Sequence, residues 1–283
     1  MDSNLIFDIG FHRGEDTRYY LARGYRVVAV DADGDAIAYG KSVFSEEVAE
    51  GRLIFRQAVV SDQSIGDVPF YISPNSQWSS VCRDIAERNG RNAKVISVPS
   101  ITLDDLMEVY GVPCYCKIDI EGNDFLALRG IVQRKPSYIS VETECLGEHG
   151  DVSAVTYTTL DALKDLGYTR FKLVDQETLT VLGSNSFYTK QRGGRDMYAD
   201  NYRYARSIFG FKGNDISFSR LFPGSSGPFG DDLRGEWADY QTARELIAFH
   251  KEEQLRLQLV KWGFWCDWHA TCLLYTSDAA DDK

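Results

Sequence analysis

The sequence predicts an α/β protein: a mostly parallel sheet with helices packed on both faces. Three observations predict it. Strand-like and helix-like stretches alternate from the first residues to about residue 175, the pattern that builds a parallel sheet. The stretch L-I-F-D-I-G-F-H-R-G-E-D-T at 5–17 joins an apolar run to a glycine turn and a helix start. A second apolar run, R-V-V-A-V-D, ends in Asp31, about twenty residues beyond the first glycine, the spacing of a ribose-binding acid.

The elements follow in order. Leu5, Ile6 and Phe7 close a short buried strand, and Gly10 and Gly14 allow a tight turn near a ligand. Glu15, Asp16 and Thr17 lead into a helix over 18–23 that stops at Gly24. Residues 26–31 form the second strand, 33–50 a helix closed by Gly51, and 53–60 the third strand, followed by Ser61 and Asp62. Residues 69–73 make a short strand in a small excursion, 75–80 a polar loop, 81–89 a helix and 95–98 an extended piece. Thr102 caps a helix that carries Asp104 and Asp105 in its first turn and ends at Gly111. Strands follow at 114–120 and 137–141, with a helix over 123–129 between them. A helix over 156–166 stops at Gly167, and 170–174 and 180–182 are two further strands. From about residue 184 Tyr, Phe, Arg, Gly and Ser dominate without clear periodicity, a character that suits a functional segment better than a core. A helix over 239–259 and the string W-G-F-W-C-D-W-H-A at 262–270 complete the chain. The reading divides it into a nucleoside-binding domain over 1–187, an extension over 188–272 that folds across the mouth of the sheet, and a non-native tail over 273–283. That tail resembles translated adapter sequence.

The formal charge is −11, or −9 without Asp278, Asp281, Asp282 and Lys283 of the tail, and no Lys/Arg block stands out. That excludes an electrostatic footprint for nucleic acid or an anionic membrane. The first apolar run is too short for a leader or a span, and the six cysteines show no disulfide spacing, so reduced thiols in a cytoplasmic protein are expected. Cys266, His269 and Cys272 have a spacing that admits a metal, but three residues carry little specificity.

The chemistry gathers at the strand ends. Asp31 can accept hydrogen bonds from both ribose hydroxyls of a nucleoside, and Ser61 with Asp62 sits where an adenine amino group could be read. In C-Y-C-K-I-D-I-E-G-N-D, Lys117, Asp119 and Glu121 alternate with Ile118 and Ile120, whereas a central parallel strand is normally apolar on both faces. Three such charges must pair, bind something or sit at the strand mouth. Glu142 and Glu144 end the fifth strand in the same way. Acids at adjacent strand tips serve as a general base or as oxygen ligands for a hard cation. Of the four histidines, His12 lies in the glycine turn and His269 beside an aromatic cluster, while His149 and His250 have plainer settings.

With these residues in place the chain resembles the FkbM-type S-adenosylmethionine-dependent methyltransferases. The resemblance rests on D-I-G-F-H-R-G at 8–14, A-V-V-S-D at 58–62, T-L-D-D-L at 102–106, K-I-D-I-E-G at 117–122 and S-V-E-T-E at 140–144, in family order. It implies a Rossmann-like methyltransferase fold with a seven-stranded sheet whose last strand is antiparallel. It implies methyl transfer from S-adenosyl-L-methionine, most often to a hydroxyl oxygen of a sugar, glycan or natural product. Asp8, Gly10 and Gly14 would hold the methionine end, Asp31 the ribose and Asp62 the adenine side, with His12, Thr17 and Ser61 completing the cofactor site. His12 departs from the family, which usually has asparagine there. Glu121 or Glu142 would act as base, with Asp119 orienting and Lys117 offsetting charge. A Mg²⁺ ion on Asp119, Glu121 and Glu142 is a second route, not favoured. With almost no chain ahead of the first strand, acceptor recognition is expected from 71–100 and the extension. The competing readings are a nicotinamide-dependent oxidoreductase, for which His12 occupies the place of the middle glycine in G-x-G-x-x-G, and a non-catalytic glycan- or partner-binding module.

Overall fold

The computed structural model describes residues 2–90, 92–143, 157–176, 179–183, 222, 224–256 and 266–273. Its strands are β1 (Asp2–Ile9), β2 (Arg26–Asp31), β3 (Leu53–Gln57), β4 (Val59–Val60), β5 (Asp67–Ile72), β6 (Lys94–Ile101), β7 (Pro113–Ile118), β8 (Tyr138–Glu142), β9 (Arg170–Asp175), β10 (Thr180–Leu182) and β11 (Cys266–Thr271). Its helices are α1 (Glu15–Ala22), α2 (Gly34–Val43), α3 (Ser45–Ala49), α4 (Arg83–Ala86), α5 (Leu103–Tyr110), α6 (Asp124–Arg129), α7 (Thr158–Asp165) and α8 (Tyr240–Arg256).

The main sheet runs β10-β9-β11-β8-β7-β1-β2-β3. β1 is an interior strand, parallel to both β2 and β7, and every residue from Leu5 to Ile9 is buried. Apart from Asp8, that is the apolar run of a strand covered on both faces. Packed on one face are α5, α6 and α7, through Leu103, Leu106, Met107, Ala127, Leu128, Leu160 and Leu163; Ala243 of α8 joins the same core. The other face is closed by α1 and by a stretch of the late chain. There Phe229 stacks on Tyr115 with ring centroids 3.9 Å apart and an angle of 6°. The start of α5 is fixed as its sequence predicts: Thr102 accepts from the Asp105 amide at 3.0 Å, and the Asp105 carboxylate accepts in return from the Thr102 amide and from the Ser64 hydroxyl.

Four details differ from the sequence expectation, each for a local reason. The main sheet has eight strands instead of seven, because β10 adds an antiparallel edge to β9. The antiparallel strand inside the sheet is β11, which pairs with both β8 and β9. The segment set aside as an extension over 188–272 therefore supplies an interior strand. The expected third strand divides: β3 pairs with β2, while Val59 and Val60 turn away to pair with β6 in a three-stranded sheet, β4-β6-β5. The helix expected over 33–50 breaks into α2 and α3 at Phe44, whose side chain is buried against Phe11.

Alternation along β11 also decides the Cys266–His269–Cys272 spacing. Cys266, Trp268 and Ala270 join the core on one face, while His269 lies on the other against Tyr115, so Cys266 and His269 cannot share an ion. The five described cysteines form no disulfide with one another. No helix among the described residues is long and apolar enough to cross a membrane. The tail from 274, His149 and Glu144 lie outside the described residues.

Candidate functional site

A cavity of about 950 Å³ opens at the C-terminal ends of β1, β2, β4, β7 and β8, where ligands bind in open α/β sheets. Gly10, His12, Asp31, Lys117, Asp119, Glu121 and Glu142 all line it. Asp8, Gly14, Thr17, Ser61 and Asp62 do not. Asp8 is buried behind the turn, where it accepts a hydrogen bond from Thr17 Oγ1 at 2.6 Å. Burial first and Asp16 next raise its carboxyl above the usual range, against the pull of Lys117. Its Oδ1 has no hydrogen-bond partner. The Ser61 hydroxyl donates to Asp62 at 3.4 Å, and Arg129 stands 3.9 Å from the Asp62 carboxylate.

The glycine turn serves chain packing as much as any ligand. A Cβ on Gly10 would lie 1.9 Å from the Asp119 carbonyl oxygen, so glycine there lets β1 approach the tip of β7. A Cβ on Gly14 would strike the rings of Phe11 and Phe44 at 2.6 and 2.8 Å. His12 between them has φ 49°. Histidine, asparagine and aspartate are the side chains found most often in this left-handed region. Histidine in the place of the family's asparagine is therefore compatible with the same backbone.

Asp31 is held from both sides. His12 donates its backbone N–H to Oδ2 at 2.8 Å, and Asp33 donates to Oδ1 at 2.8 Å. Each oxygen keeps a free lone-pair direction. Burial, the larger effect, raises the Asp31 carboxyl even so.

The charged strand β7 and the residues after it resolve into a buried cation with its acids and a tip. Lys117 is 4% exposed, and its Nζ donates to Asp16 at 3.0 Å and to Asp119 at 3.1 Å. Burial pulls the ammonium down, but Asp119, Asp16 and Asp8 outweigh it and hold it well above the lysine range. Asp16 also accepts from the Ser225 hydroxyl, the Ser226 amide and the Ser226 hydroxyl, which fastens the late chain across the cavity mouth. Glu121 lies past the end of β7 with φ 49°, so the strand's alternation does not set its direction. Arg88 donates to its carboxylate at 3.0 Å. Burial, then Asp119, raise Glu121 to about 7 against Arg88. Glu142 is driven far above the carboxylate range by burial, then by Asp119, Asp124, Asp267 and Glu121.

Sequence reasoning missed the supports. Asp124 accepts from the Ile120 and Gly122 amides, both at 3.1 Å, and Asn123 donates to the Val60 carbonyl at 2.7 Å. Asp267 of β11 accepts from Gln176 at 2.6 Å and is pushed up to about 7, chiefly by burial. The one available signal was position: Asn123 and Asp124 directly follow the strand tip, and Asp267 lies inside W-C-D-W-H. Among the described residues no three His, Cys, Asp or Glu side chains are arranged to hold a metal ion.

This acid cluster sets a pH dependence. Glu121 and Asp267 titrate near 7 and Asp124 near 6 in the folded protein, against about 4 in an unfolded chain. Between these values the folded state holds protons that the unfolded chain has released, so stability falls as pH rises. His269, held neutral by burial and Lys172 down to about 3, opposes this below about 6.5 with a single proton. The lowered carboxyls Glu15 and Asp105 act only below the ordinary acid range. Calorimetry of the ligand-free protein should give a higher unfolding temperature at pH 5.5 than at pH 7.5; the reverse order would mean that these acids are not buried together.

The description "Methyltransferase FkbM domain" matches residues 8–169. No curated protein matches the chain in sequence. Among solved structures it is similar to phosphoethanolamine N-methyltransferase 2 of Haemonchus contortus in complex with S-adenosyl-L-methionine, at 11% identity and a TM-score of 0.37 over 95% of this chain. The match spans 48% of that enzyme's chain, about half its length. A methyltransferase of Geobacter sulfurreducens in complex with S-adenosyl-L-homocysteine is 12% identical, with a TM-score of 0.36, over 95% of this chain and 84% of that one. The [4+2]-cyclase SpnF is 9% identical, with a TM-score of 0.39, over 95% and 75%.

Proposed function

The chain belongs to the FkbM methyltransferase family, matched over more than half its length, and from that premise we propose that it moves a methyl group from S-adenosyl-L-methionine to a hydroxyl oxygen of a sugar, glycan or natural product. The observation that carries the reading is that Asp31 and Glu121 face one cavity from the ends of β2 and β7, the two parallel strands that flank β1.

The residues present fit the cofactor. Asp31 presents two oriented oxygens to a pair of ribose hydroxyls, and Ala58, Val59, Val60 and Phe70 supply an apolar wall for a base. The backbone of Gly10 and His12 borders the cavity directly, while Asp8, Gly14 and Thr17 support the turn from behind. When bound, S-adenosyl-L-methionine supplies an electrophilic methyl carbon on a positively charged sulfur.

The protein's own part is to hold the acceptor hydroxyl in line and take its proton. Glu121 suits the proton transfer because a base works best with a pKa near the operating pH. Glu142 is raised too far to accept a proton at neutral pH, and it serves as a hydrogen-bond donor to the acceptor. Lys117 and Asp119 neutralise each other beneath the reacting atoms. The late chain, through Phe222, Gly224, Ser225 and Ser226, covers the acceptor side of the cavity and keeps water out. The free thiols accord with a cytoplasmic enzyme.

Calorimetric titration tests the cofactor half. Asp31→Ala should weaken S-adenosyl-L-methionine binding by roughly 1.5–3 kcal/mol, the worth of hydrogen bonds to a charged acceptor, or about 10- to 150-fold. Unaltered affinity would remove Asp31 from the site.

A further inference from the structure

The excursion between β5 and β6 touches the tip of β7 at three points. The Ser80 hydroxyl donates to the Glu121 carbonyl at 2.7 Å. Ile85 lies over Gly122 so closely that a Cβ there would stand 2.3 Å from its Cδ1. Arg88 reaches the Glu121 carboxylate at 3.0 Å. The guanidinium is itself fixed twice more: its Nε donates to the Ile85 carbonyl at 3.0 Å, and its carbon sits 5.0 Å from the centroid of the Trp78 ring. Arg88, Trp78 and Glu121 all border the cavity.

These contacts explain a local strain. Glu121 holds φ 49°, a region that glutamate rarely enters and one that persists only where the surroundings over-determine it. Ser80 pins the carbonyl side of the residue and Arg88 the carboxylate side. Asp124 ties the amides of Ile120 and Gly122 on either side.

We propose that Arg88 is a positioning residue of this site: seated on Trp78, it aims the Glu121 carboxylate at the acceptor and gives the excursion control over that carboxylate. The inference rests on the reading of Glu121 as the group that meets the acceptor. The acids that act on Glu121 are Asp119 at the end of its own strand and Asp124 from α6, and Glu121 in turn raises Glu142 of β8, while the nearby cation Lys117 is taken up by Asp16 and Asp119. Arg88 is therefore the charge that favours the Glu121 anion against burial and the charges of Asp119 and Asp124. A planar fork that bonds Ile85 with one nitrogen and Glu121 with another does this with a fixed direction. An acceptor that stacked on or displaced Trp78 would move the carboxylate through Arg88.

The test uses the ligand-free protein, so its failure would leave the methyl-transfer reading standing. Protein carrying ¹³C-labelled glutamate is titrated by NMR, and the Glu121 carboxyl resonance is assigned by its loss in Glu121→Gln. The wild-type midpoint is expected near 7. Arg88→Met should move it up by about one pH unit or more, the usual effect of losing a paired opposite charge. Arg88→Lys should fall between the two, because it restores the charge without the fork. A midpoint unchanged in Arg88→Met, or equal in Arg88→Met and Arg88→Lys, would overturn the proposal.

Discussion

Lys117→Met should destabilise the protein by roughly 3–5 kcal/mol, because it strands the buried Asp16 carboxylate without its cation. The Lys117 and Asp16 side chains are 5% and 8% exposed, so the Asp16 carboxylate left behind is poorly hydrated. Asp119 loses the same ammonium but is more than a third exposed, and it contributes less to the loss. Chemical denaturation at pH 7 measures the effect. The double variant Lys117→Met with Asp16→Leu should recover part of it, since removing both members of a buried pair is far less costly than removing one. Recovery should be incomplete, because Asp16 also receives three hydrogen bonds from Ser225 and Ser226. A loss below about 1 kcal/mol, the level of an exposed pair, would show that Lys117 and Asp16 are not buried together.

That pair also shows how far a sequence can be read. Three charges in a strand that should be apolar signal a site, and the structure gathers Lys117, Asp119 and Glu121 at one cavity. Local signals of this kind were legible because they depend on neighbours in the chain: the glycine turn, Asp31 at a strand end and the Thr102 cap. What was not legible depends on contacts across long separations. β11 enters the sheet between β8 and β9 although ninety residues separate it from β9 in sequence. Nothing in W-C-D-W-H-A names those partners, so Asp267 and its place among the acids stayed hidden. Asp16 read as an ordinary first-turn acid, and its bonds to Lys117, Ser225 and Ser226 span 100 residues or more. Gly10 was read as leaving room for a ligand, and the group that approaches it in the folded chain is the Asp119 carbonyl. Arg88 carried no signal at all, since its role exists only once the excursion folds back on Glu121.

The other large effect is chemical. Glu121→Gln keeps the shape of the side chain and removes its capacity to take a proton, so methyl transfer should slow by about 10²- to 10⁴-fold, the usual contribution of a positioned base. Binding of S-adenosyl-L-methionine should change little, because Asp31 and the glycine turn lie on other strands. The measurement that reaches the central claim is therefore label transfer: purified protein is incubated with methyl-labelled S-adenosyl-L-methionine and a panel of sugars, glycans and small hydroxylated metabolites, and the products are read by mass spectrometry. The wild-type protein should place the label on an acceptor oxygen, and Glu121→Gln should do so at least a hundredfold more slowly with the same acceptor. Failure of the wild-type protein to label any hydroxyl across the panel, or transfer by Glu121→Gln at the wild-type rate, would contradict it.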